Sequence, residues 1–526
     1  MLVLVASLER AVTHAAELFL GVGAILAFVW GVVQKRIGIL RWPLLGLAVL
    51  SLGVGVALGG WSWHEKRDRN VIGSPTVEFI ATQTPKKRPK KELREEPWPL
   101  YGYDAERTRA APFELRPPYA GLWNIKTRVP IEAPPVVAYG RIFVIDQHGH
   151  MYAMKARTGR FVWKRRFPNC AAASAAVAGG VVYQPLMHRL PCQKNQAGAQ
   201  GLLEALDAKT GKTLWKFKAG PIESAPLIVG HVLYFGSWDR RIYALDLRRK
   251  RNRVLWSYET DDKVVAAPAY GNGTIYVGTN GGRVYALNAR TGKLRWRAES
   301  FSRFGNREYF YATPAVAYGR VFLGNTDGTV YAYGAGTGHL LWARQVGTYV
   351  YAAPAVWRKT LFVGTWDGYF SALDVRTGAF RWRYDAPGGI MGAATVLDGL
   401  VYFSTFGRFS QRHLRRVESG PRGTFALNVR NGDLIWRFHD GQYSPLVAQR
   451  QRIYIAGKRH LYALVPKARL VRIRRWQALA KCERLRRARA RARCLSKARR
   501  GTTSGKRGSG KARRTSKPQN PAPPPS

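Results

Sequence analysis

The sequence predicts an all-β fold: an eight-bladed β-propeller with four-stranded blades, preceded by a transmembrane helix or helical hairpin and followed by a basic tail. Two observations support this prediction. Eight tryptophans recur at intervals of 40, 52, 41, 40, 46, 40 and 54 residues, a spacing typical of propellers and similar arrays. Incomplete units at the two ends of the repeat region also complement each other, which would close a ring. The tryptophans are Trp123, Trp163, Trp215, Trp256, Trp296, Trp342, Trp382 and Trp436.

Residues 1–70 are predicted to be a membrane anchor. Residues 42–63 form a run of 22 residues without a charge, which is long enough to cross a bilayer. Residues 18–33 form a second apolar run of 16 residues, which indicates either the other half of a helical hairpin or an early start codon. A cleaved signal peptide is disfavoured, because no small-residue cleavage site follows and the longer run exceeds a normal signal-peptide core.

The side of the membrane is predicted from the cysteines rather than from the flanking charges. Three basic residues lie within 35–41 and three within 66–69, so the basic residues flanking the longer run do not decide its orientation. Cys170 and Cys192 fall together in the second repeat unit, and Cys482 and Cys494 fall together in the tail. Two local pairs suit disulfides in an oxidising compartment, whereas four free thiols would suit the cytosol. We expect the propeller on the extracytoplasmic side of the cell (inner) membrane.

Residues 71–97 are rich in proline and lysine and predict a linker or stalk, with a basic cluster at 86–91. The repeat region, residues 98–466, follows it. Within six units an alanine precedes the tryptophan by ten residues, with Thr-Gly or Asn-Gly between them, as in Ala332, Thr337, Gly338 and Trp342. The third unit is two residues longer and carries basic residues in place of the glycine turn.

Each unit is expected to contain an inner strand, two middle strands and an outer strand. Segments rich in β-branched and aromatic residues predict the strands. Asp-Gly at 327–328 and at 367–368 predicts hairpin turns between middle strands. The tryptophan is expected on the outer strand, where it would pack against the neighbouring blade with the small alanine opposite it.

The two ends of the repeat region are expected to share one blade. Residues 452–466 have the middle strands but neither Thr-Gly nor tryptophan, and Trp123 has an outer strand with no unit before it. Joining them gives eight blades and removes the open sheet edges. A stacked, open solenoid is the alternative, and the matching half-units disfavour it.

With these residues in view, residues 98–466 resemble the pyrroloquinoline-quinone (PQQ) repeat family of β-propellers. The resemblance rests on the recurring Ala-Leu-Asp-x-x-Thr-Gly-x-x-x-Trp phrase. It also rests on the opening Trp98-Pro-Leu-Tyr-Gly-Tyr-Asp, which is similar to the first strand of the quinoprotein dehydrogenases and their non-enzymatic relatives. The resemblance implies eight blades held by tryptophan docking. WD-repeat propellers fit less well, because no Gly-His partner recurs with the Trp-Asp pairs.

The same family contains enzymes and scaffolds, so the fold does not fix the function. Its dehydrogenases carry a vicinal cysteine pair, and some add a haem-binding Cys-x-x-Cys-His; this sequence has neither. We therefore favour a non-enzymatic binding or scaffold module similar to the BamB-type assembly factor, with protein or peptide partners and a role in cell-envelope assembly. No catalytic residue or metal site is assigned, and PQQ and Ca²⁺ are not expected. The alternative is a PQQ-dependent dehydrogenase with a divergent site.

A ligand would most simply enter at the mouth of the central channel, just before the inner strands. Aromatic and charged residues at those positions could form a pocket or a peptide-binding rim, whereas Tyr311 and Tyr351 could instead pack between blades. His148 and His150 lie in a hairpin turn and carry only a weak indication of metal binding. The candidate mouth residues are Glu132, Glu223, Lys263, Tyr309, Tyr311, Tyr349, Tyr351 and Tyr443.

The tail, residues 467–526, is predicted to be partly helical and then disordered. Residues 467–517 hold 21 lysines and arginines against one acid, which is +20 of the total +53. Such a run attracts polyanions. On the extracytoplasmic side these would be anionic lipids or envelope polymers rather than nucleic acid. A solvated tail in a generally basic protein is the alternative.

Overall fold

A computed structural model describes residues 2–33, 41–67, 69–81, 98–192, 198–303, 306–409, 418–419, 422–443, 446–483 and 493–496. The chain forms two compact units, Met1–Val465 and Pro466–Ser526. The first contains the N-terminal helices and an all-β propeller of eight four-stranded blades, as predicted.

Two apolar helices begin the chain, α1 (Leu2–Val33) and α2 (Arg41–Lys66). They pack closely: a Cβ at Gly23 would meet Leu52 Cγ at 2.7 Å, and one at Gly55 would meet Leu20 Cγ at 2.7 Å. Small residues allow such close helix contact in lipid. Residues 11–32 and 45–65 are each long and apolar enough to cross a membrane. Large apolar side chains point outward, including Phe28, which is 74% exposed. The two helices fit a membrane anchor.

The strands follow the predicted order from the channel outward. The two-residue strand β1 (Ala110–Ala111) and the eight-residue strand β2 (Tyr119–Lys126) come first. Blades 1 to 4 consist of β3 (Val136–Ala138), β4 (Arg141–Ile145), β5 (His150–Lys155), β6 (Phe161–Arg166), β7 (Ala176–Ala178), β8 (Val181–Leu186), β9 (Gly201–Asp207), β10 (Thr213–Ala219), β11 (Leu227–Val229), β12 (Val232–Ser237), β13 (Arg241–Asp246), β14 (Val254–Glu259), β15 (Ala269–Gly271), β16 (Thr274–Gly278), β17 (Arg283–Asn288) and β18 (Leu294–Glu299).

A hairpin of β19 (Ser302–Arg303) and β20 (Asn306–Arg307) separates blades 4 and 5. Blades 5 to 8 consist of β21 (Ala315–Ala317), β22 (Arg320–Gly324), β23 (Thr329–Gly334), β24 (Leu340–Gln345), β25 (Ala355–Trp357), β26 (Thr360–Gly364), β27 (Tyr369–Asp374), β28 (Phe380–Asp385), β29 (Thr395–Leu397), β30 (Leu400–Thr405), the inserted pair β31 (Arg408–Phe409) and β32 (Glu418–Ser419), β33 (Gly423–Asn428), β34 (Leu434–Phe438), β35 (Val447–Gln449), β36 (Arg452–Ala456) and β37 (His460–Pro466).

The ring closes through a blade that both ends of the repeat region share. Its strand order is β2-β37-β36-β35, so the strand that carries Trp123 completes the last unit. The backbone N–H of Thr127 also donates to the carbonyl of Arg459 at 2.8 Å. The prediction of a shared eighth blade is confirmed, and every blade gains two neighbours.

The tryptophans lie where one blade meets the next. Trp342 pairs across the sheet with Ala332, and its indole N–H donates to the carbonyl of Val375 in the following blade at 3.0 Å. Its ring covers Gly378, the glycine of the next Thr-Gly turn. The same ring-on-glycine contact occurs for Trp123, Trp163, Trp256, Trp296 and Trp382. Trp215 faces the blade whose turn lacks the glycine and stacks on Arg253 instead, at 4.3 Å.

Insertions between strands explain the irregular intervals. The interval of 46 residues contains the hairpin β19–β20, and the interval of 54 contains β31–β32. The interval of 52 contains the loop after β8, where a disulfide joins Cys170 to Cys192 across a separation of 22 residues. All three lie between strands, so the blades themselves keep their regular form.

Residues 98–111 differ from the expectation of a first strand. They form a segment, called here the plug, that crosses one end of the central channel and pairs with the inner strands of several blades in turn. Trp98 bridges to Val137, and β1 pairs in parallel with β29. In between, the carbonyls of Ala105, Glu106 and Thr108 accept from Tyr270, Val316 and Val356. The plug therefore closes the channel at the end toward which the inner strands run.

Residues 71–81 also differ from the expectation of a free stalk. Val71 forms an antiparallel bridge with Ala343 on the outer strand of blade 5. Residues 82–97, including the basic cluster at 86–91, lie outside the described residues.

The second unit contains α3 (Lys467–Glu483). A disulfide joins Cys482 to Cys494, with an S–S distance of 2.04 Å. The predicted disordered segment, from 501 onward, falls outside the residues that the structure describes.

Candidate functional site: an acidic, aromatic cavity on the propeller axis

A cavity of ≈ 380 Å³ lies on the propeller axis, with the plug beneath it, and opens at the end of the ring where the inner strands begin. The segments that enter each inner strand form its walls, because all inner strands start at this end of the ring. Alanines and glycines at many of these positions leave the axis open. The lining residues are Tyr101, Glu132, Ala133, Pro134, Ala172, Ala173, Ser174, Glu223, Ala225, Val265, Ala266, Ala267, Tyr311, Thr313, Tyr351, Trp366, Met391, Gly392 and Tyr443.

Two half-buried carboxyl groups face this cavity from blades 1 and 3. Gln147 donates to Glu132 Oε1 at 2.9 Å, and the Tyr311 hydroxyl donates to Glu223 Oε1. Burial raises the pKa of Glu132 to about 7, and the charge of nearby Glu223 adds to the effect. Burial also raises the pKa of Glu223, although the hydrogen bond from Tyr311 and the nearby charge of Lys263 oppose it. Both groups would gain by meeting a cation, which favours their charged form.

Aromatic rings form the opposite wall. Tyr311 and Tyr351 meet edge to face with centroids 5.2 Å apart, and Tyr351 lies 5.6 Å from Trp366. The row continues through Phe406, whose ring is 5.0 Å from Trp366 and 5.6 Å from Tyr443. The faces of such rings attract cations.

The floor of the cavity is the ring of Tyr101, which the plug supplies. Beneath it, Arg109 stacks on that ring at 4.0 Å. Arg107, with 0% exposure, donates to the carbonyls of Tyr101, Ala225 and Pro268. Burial, together with repulsion from Arg109, lowers the pKa of Arg107 to about 9. Neither guanidinium lines the cavity, so the charges that a ligand meets directly are those of the two carboxyls.

The structure brings five of the eight candidate mouth residues together: Glu132, Glu223, Tyr311, Tyr351 and Tyr443. The other three lie beside the cavity. Lys263 lies in an adjacent groove, with its Nζ 4.7 Å from the centroid of the Trp238 ring. The backbone of Tyr309 is held by Thr326, and Tyr349 packs behind Tyr351 with centroids 6.1 Å apart.

Sequence reasoning missed several residues of the site. Trp366 reaches the cavity from the turn between β26 and β27, Gln147 holds Glu132 from the corresponding turn of blade 1, and Phe406 comes from the loop after β30. The Trp-Asp-Gly sequence could have predicted the position of Trp366, because a turn between the two middle strands lies at the same end of the ring as the start of the inner strands. The position of Tyr101 depends on the plug, which has no periodic pattern.

The cavity does not match the chemistry of PQQ with calcium. PQQ is a quinone with three carboxylates, and the ionisable groups of the described lining are two carboxyls and tyrosines, which would repel those carboxylates; Lys263 lies in the adjacent groove instead. Among the described residues, no group of three or more His, Cys, Asp or Glu is placed to hold a metal ion. His150 instead faces Asp146, with Nδ1 3.0 Å from the carboxylate, and helps to fix the β4–β5 turn.

Comparison with known proteins relates the chain to an assembly factor and to enzymes. A family model described as "Outer membrane protein assembly factor BamB" matches residues 120–190, 195–326, 248–352 and 326–480. The tetrathionate hydrolase of Acidithiobacillus ferrooxidans is 28% identical over 123 residues, which is 18% of this chain and 24% of that protein. BamB of Burkholderia pseudomallei is 34% identical over 101 residues, 19% of this chain and 26% of that protein.

Both alignments span about a quarter of the curated relatives' own length. A europium-containing methanol dehydrogenase superposes with a TM-score of 0.58 at 12% identity and covers 70% of this chain and 98% of its own, which shows a shared fold. The family model, in contrast, matches well over half of the chain. The chain therefore belongs to the PQQ-repeat β-propeller family whose model is described as the outer membrane protein assembly factor BamB.

Proposed function

We propose that this protein is a membrane-anchored binding module that receives a cationic group of a protein partner in the axial cavity. The single observation that carries the proposal is the pairing of Glu132 and Glu223 with an aromatic wall inside a protein of net charge +53. Two carboxyls face this cavity of a strongly basic protein, and its described lining includes no lysine or arginine. Lys263, in the adjacent groove, offsets part of the charge of Glu223. A lysine or arginine side chain of a partner would place a cation inside the cavity, between the carboxyls and the aromatic wall.

The expected strength of the contact can be estimated. A hydrogen bond to a charged group contributes about 1.5–3 kcal/mol, and a partly exposed cation–π contact contributes roughly 0.5–1 kcal/mol. Their sum corresponds to a dissociation constant on the order of 1 mM or weaker for an isolated amine. A partner would gain the rest of its affinity from the rim, so the cavity acts as the specific anchor of a larger interface.

A scaffold role agrees with the family and with the anchor. The matching family model is named for an assembly factor, and the two apolar helices fit attachment to a membrane. The Cys170–Cys192 and Cys482–Cys494 disulfides suit an oxidising compartment. We place the propeller on the extracytoplasmic side of the cell membrane, with assembly of envelope proteins as its process.

The test is a titration of the detergent-solubilised full chain with N-acetyl-lysine methylamide, followed by tryptophan fluorescence at pH 8. The norleucine analogue, which lacks only the amine, is the matched ligand. We expect saturable binding of the lysine probe alone, and loss of at least tenfold in affinity for the Glu132→Gln/Glu223→Gln variant. Equal binding of the two probes would refute the proposal.

A PQQ-dependent dehydrogenase is the second candidate, because the superposed methanol dehydrogenase shares the fold. Reconstitution with PQQ and Ca²⁺, followed by alcohol-dependent dye reduction, tests it. Turnover above a heat-denatured control would favour this candidate over the binding module.

The basic tail adds a separate proposed contact with anionic lipids or envelope polymers. Removal of residues 467–526 should abolish salt-sensitive retention on heparin. Unchanged retention would contradict this contact without affecting the cavity.

A further inference from the structure

The segment between the membrane anchor and the plug packs on the outside of the propeller. Residues 69–81, called here the clamp, run along the outer edge of blades 5 and 6. Val71 and Ala343 exchange backbone hydrogen bonds of 2.9 and 3.0 Å in an antiparallel bridge. The clamp thereby adds to the outer strand β24 and covers Trp342, which has 0% exposure.

The clamp starts at the end of the propeller where the cavity opens. Arg69 Nη1 donates to the carbonyl of Ser302, in the hairpin that leads to the inner strand of blade 5, at 2.7 Å. Its Nη2 pairs with Glu65 Oε2 at 3.1 Å. Glu65 is the last residue of the apolar span in α2. One arginine therefore connects the end of the membrane helix to the mouth side of the ring.

The clamp ends at the opposite side of the ring, where the plug lies. The N–H of Gly73 donates to the carbonyl of Thr377 at 3.1 Å, and Glu78 accepts from the Thr337 hydroxyl at 2.8 Å. The N–H of Ile80 donates to the carbonyl of Tyr318 at 3.1 Å. These three partners lie in or next to turns at the far ends of the blades. The clamp crosses the full height of the propeller, about 20 Å for six-residue strands.

Buried contacts fix the clamp in this position. Arg320, with 0% exposure, donates to the carbonyls of Ser74 and Val77 in the clamp and to that of Val375 in blade 6. A Cβ at Gly73 would lie 2.6 Å from the carbonyl oxygen of Arg376, so the close approach requires glycine. A stalk that does not contact the propeller would have neither the buried contacts of Arg320 nor the close approach at Gly73.

We infer that the clamp holds the cavity mouth toward the membrane surface and the plug away from it. Arg69 is four positions after Glu65, so even an extended chain spans at most about 14 Å between the end of the apolar run and the mouth side. The plug side lies about 20 Å farther along the strands. If the cavity binds a cation as proposed, the partner is a membrane protein that presents a basic residue in a segment close to the bilayer.

The test measures which end of the ring lies nearer the bilayer. Thr348→Cys places a fluorophore at an exposed position on the mouth side, and Thr291→Cys places the same fluorophore at an exposed turn on the plug side. The labelled full chains are reconstituted into vesicles with an energy-transfer acceptor on the lipid headgroups. We expect clearly higher transfer from position 348 than from position 291. Equal transfer, or higher transfer from position 291, would overturn the inference.

A second pair of variants tests the clamp itself. Gly73→Val should dislodge the clamp and remove the difference in transfer between the two positions. Gly336→Val is the matched control, because a Cβ at Gly336 meets nothing within 4 Å, and it should preserve the difference. A Gly73→Val protein that keeps the difference would show that the clamp does not set the orientation. Binding of the lysine probe in detergent is measured separately, so failure of the orientation leaves the cation site standing.

Discussion

The contact between Trp342 and Gly378 gives the sharpest prediction about stability. Gly378 has φ of +72°, and a Cβ there would lie 2.7 Å from Trp342 Cε3. Gly378→Ala therefore adds two costs: about 1–2 kcal/mol for an L-residue in the left-handed region, and about 1–3 kcal/mol for a methyl group forced against a packed ring. The propeller should lose roughly 2–5 kcal/mol of unfolding free energy in total.

Gly273→Ala separates the two costs. Gly273 has nearly the same φ, +73°, but the nearest atom to its Cβ is the end of the flexible Arg295 side chain at 3.8 Å. This control should lose only the backbone part, about 1–2 kcal/mol. Urea denaturation followed by tryptophan fluorescence measures both variants against the wild type. Equal losses would refute the reasoning that docking of tryptophan onto glycine joins the blades.

Three further predictions concern the site, the plug and the second blade. The pKa of Glu132 rises to about 7 on folding, so the carboxyl's contribution to the unfolding free energy is full below pH 4.5 and is lost as the pH rises through 7. Glu132→Gln should therefore raise the unfolding free energy at pH 8 by on the order of 1–2 kcal/mol and leave it unchanged at pH 4. Measurements of Tm at the two pH values test this. Arg107→Ala should lower the unfolding free energy by about 2–4 kcal/mol in urea denaturation, because it leaves buried carbonyls without a donor. Arg116→Ala, at an exposed ion pair, should lower it by less than about 1 kcal/mol. Similar losses would contradict the conclusion that Arg107 holds the plug in place. Removal of the Cys170–Cys192 disulfide by a double serine substitution should cost about 2–4 kcal/mol, and a Tm equal to that of the wild type would show that the loop does not depend on it.

Periodic features of the sequence were sufficient to predict the ring. The alanine, the glycine turn and the tryptophan recur because each blade packs on the next through the same kind of contact. The incomplete units near Trp123 and residue 460 complement each other, which predicts that they pair in one blade. The third unit kept its Ala244–Trp256 pair despite its basic turn. Local patterns therefore predicted the blades even where one part of the motif is missing.

The plug and the clamp could not be predicted in the same way. Both are single segments whose backbone groups pair with several blades, and neither repeats nor alternates. The sequence predicts a stalk over residues 71–97 because prolines and lysines are frequent between 82 and 97. Only tertiary contacts, such as those of Arg320 with Ser74 and Val77, show that the clamp packs on the propeller.

The candidate site was predicted by position rather than by chemistry. Residues just before the inner strands were expected at the mouth, and Glu132, Glu223 and Tyr311 are there. Tyr309 and Tyr349 lie two residues before Tyr311 and Tyr351, and they pack outside the cavity instead. The sequence alone could not show which member of each pair would face the axis, because that depends on the twist of each entering segment.

The central claim is that the axial cavity holds a cation between two carboxyls and an aromatic wall. An experimental structure of the full chain with N-acetyl-lysine methylamide at pH 8 tests it most directly. We predict density for the ammonium within about 3 Å of the carboxylate oxygens of Glu223 or Glu132, and close to the Trp366 ring. A probe bound elsewhere, with these two carboxyls turned away from the axis, would contradict the account.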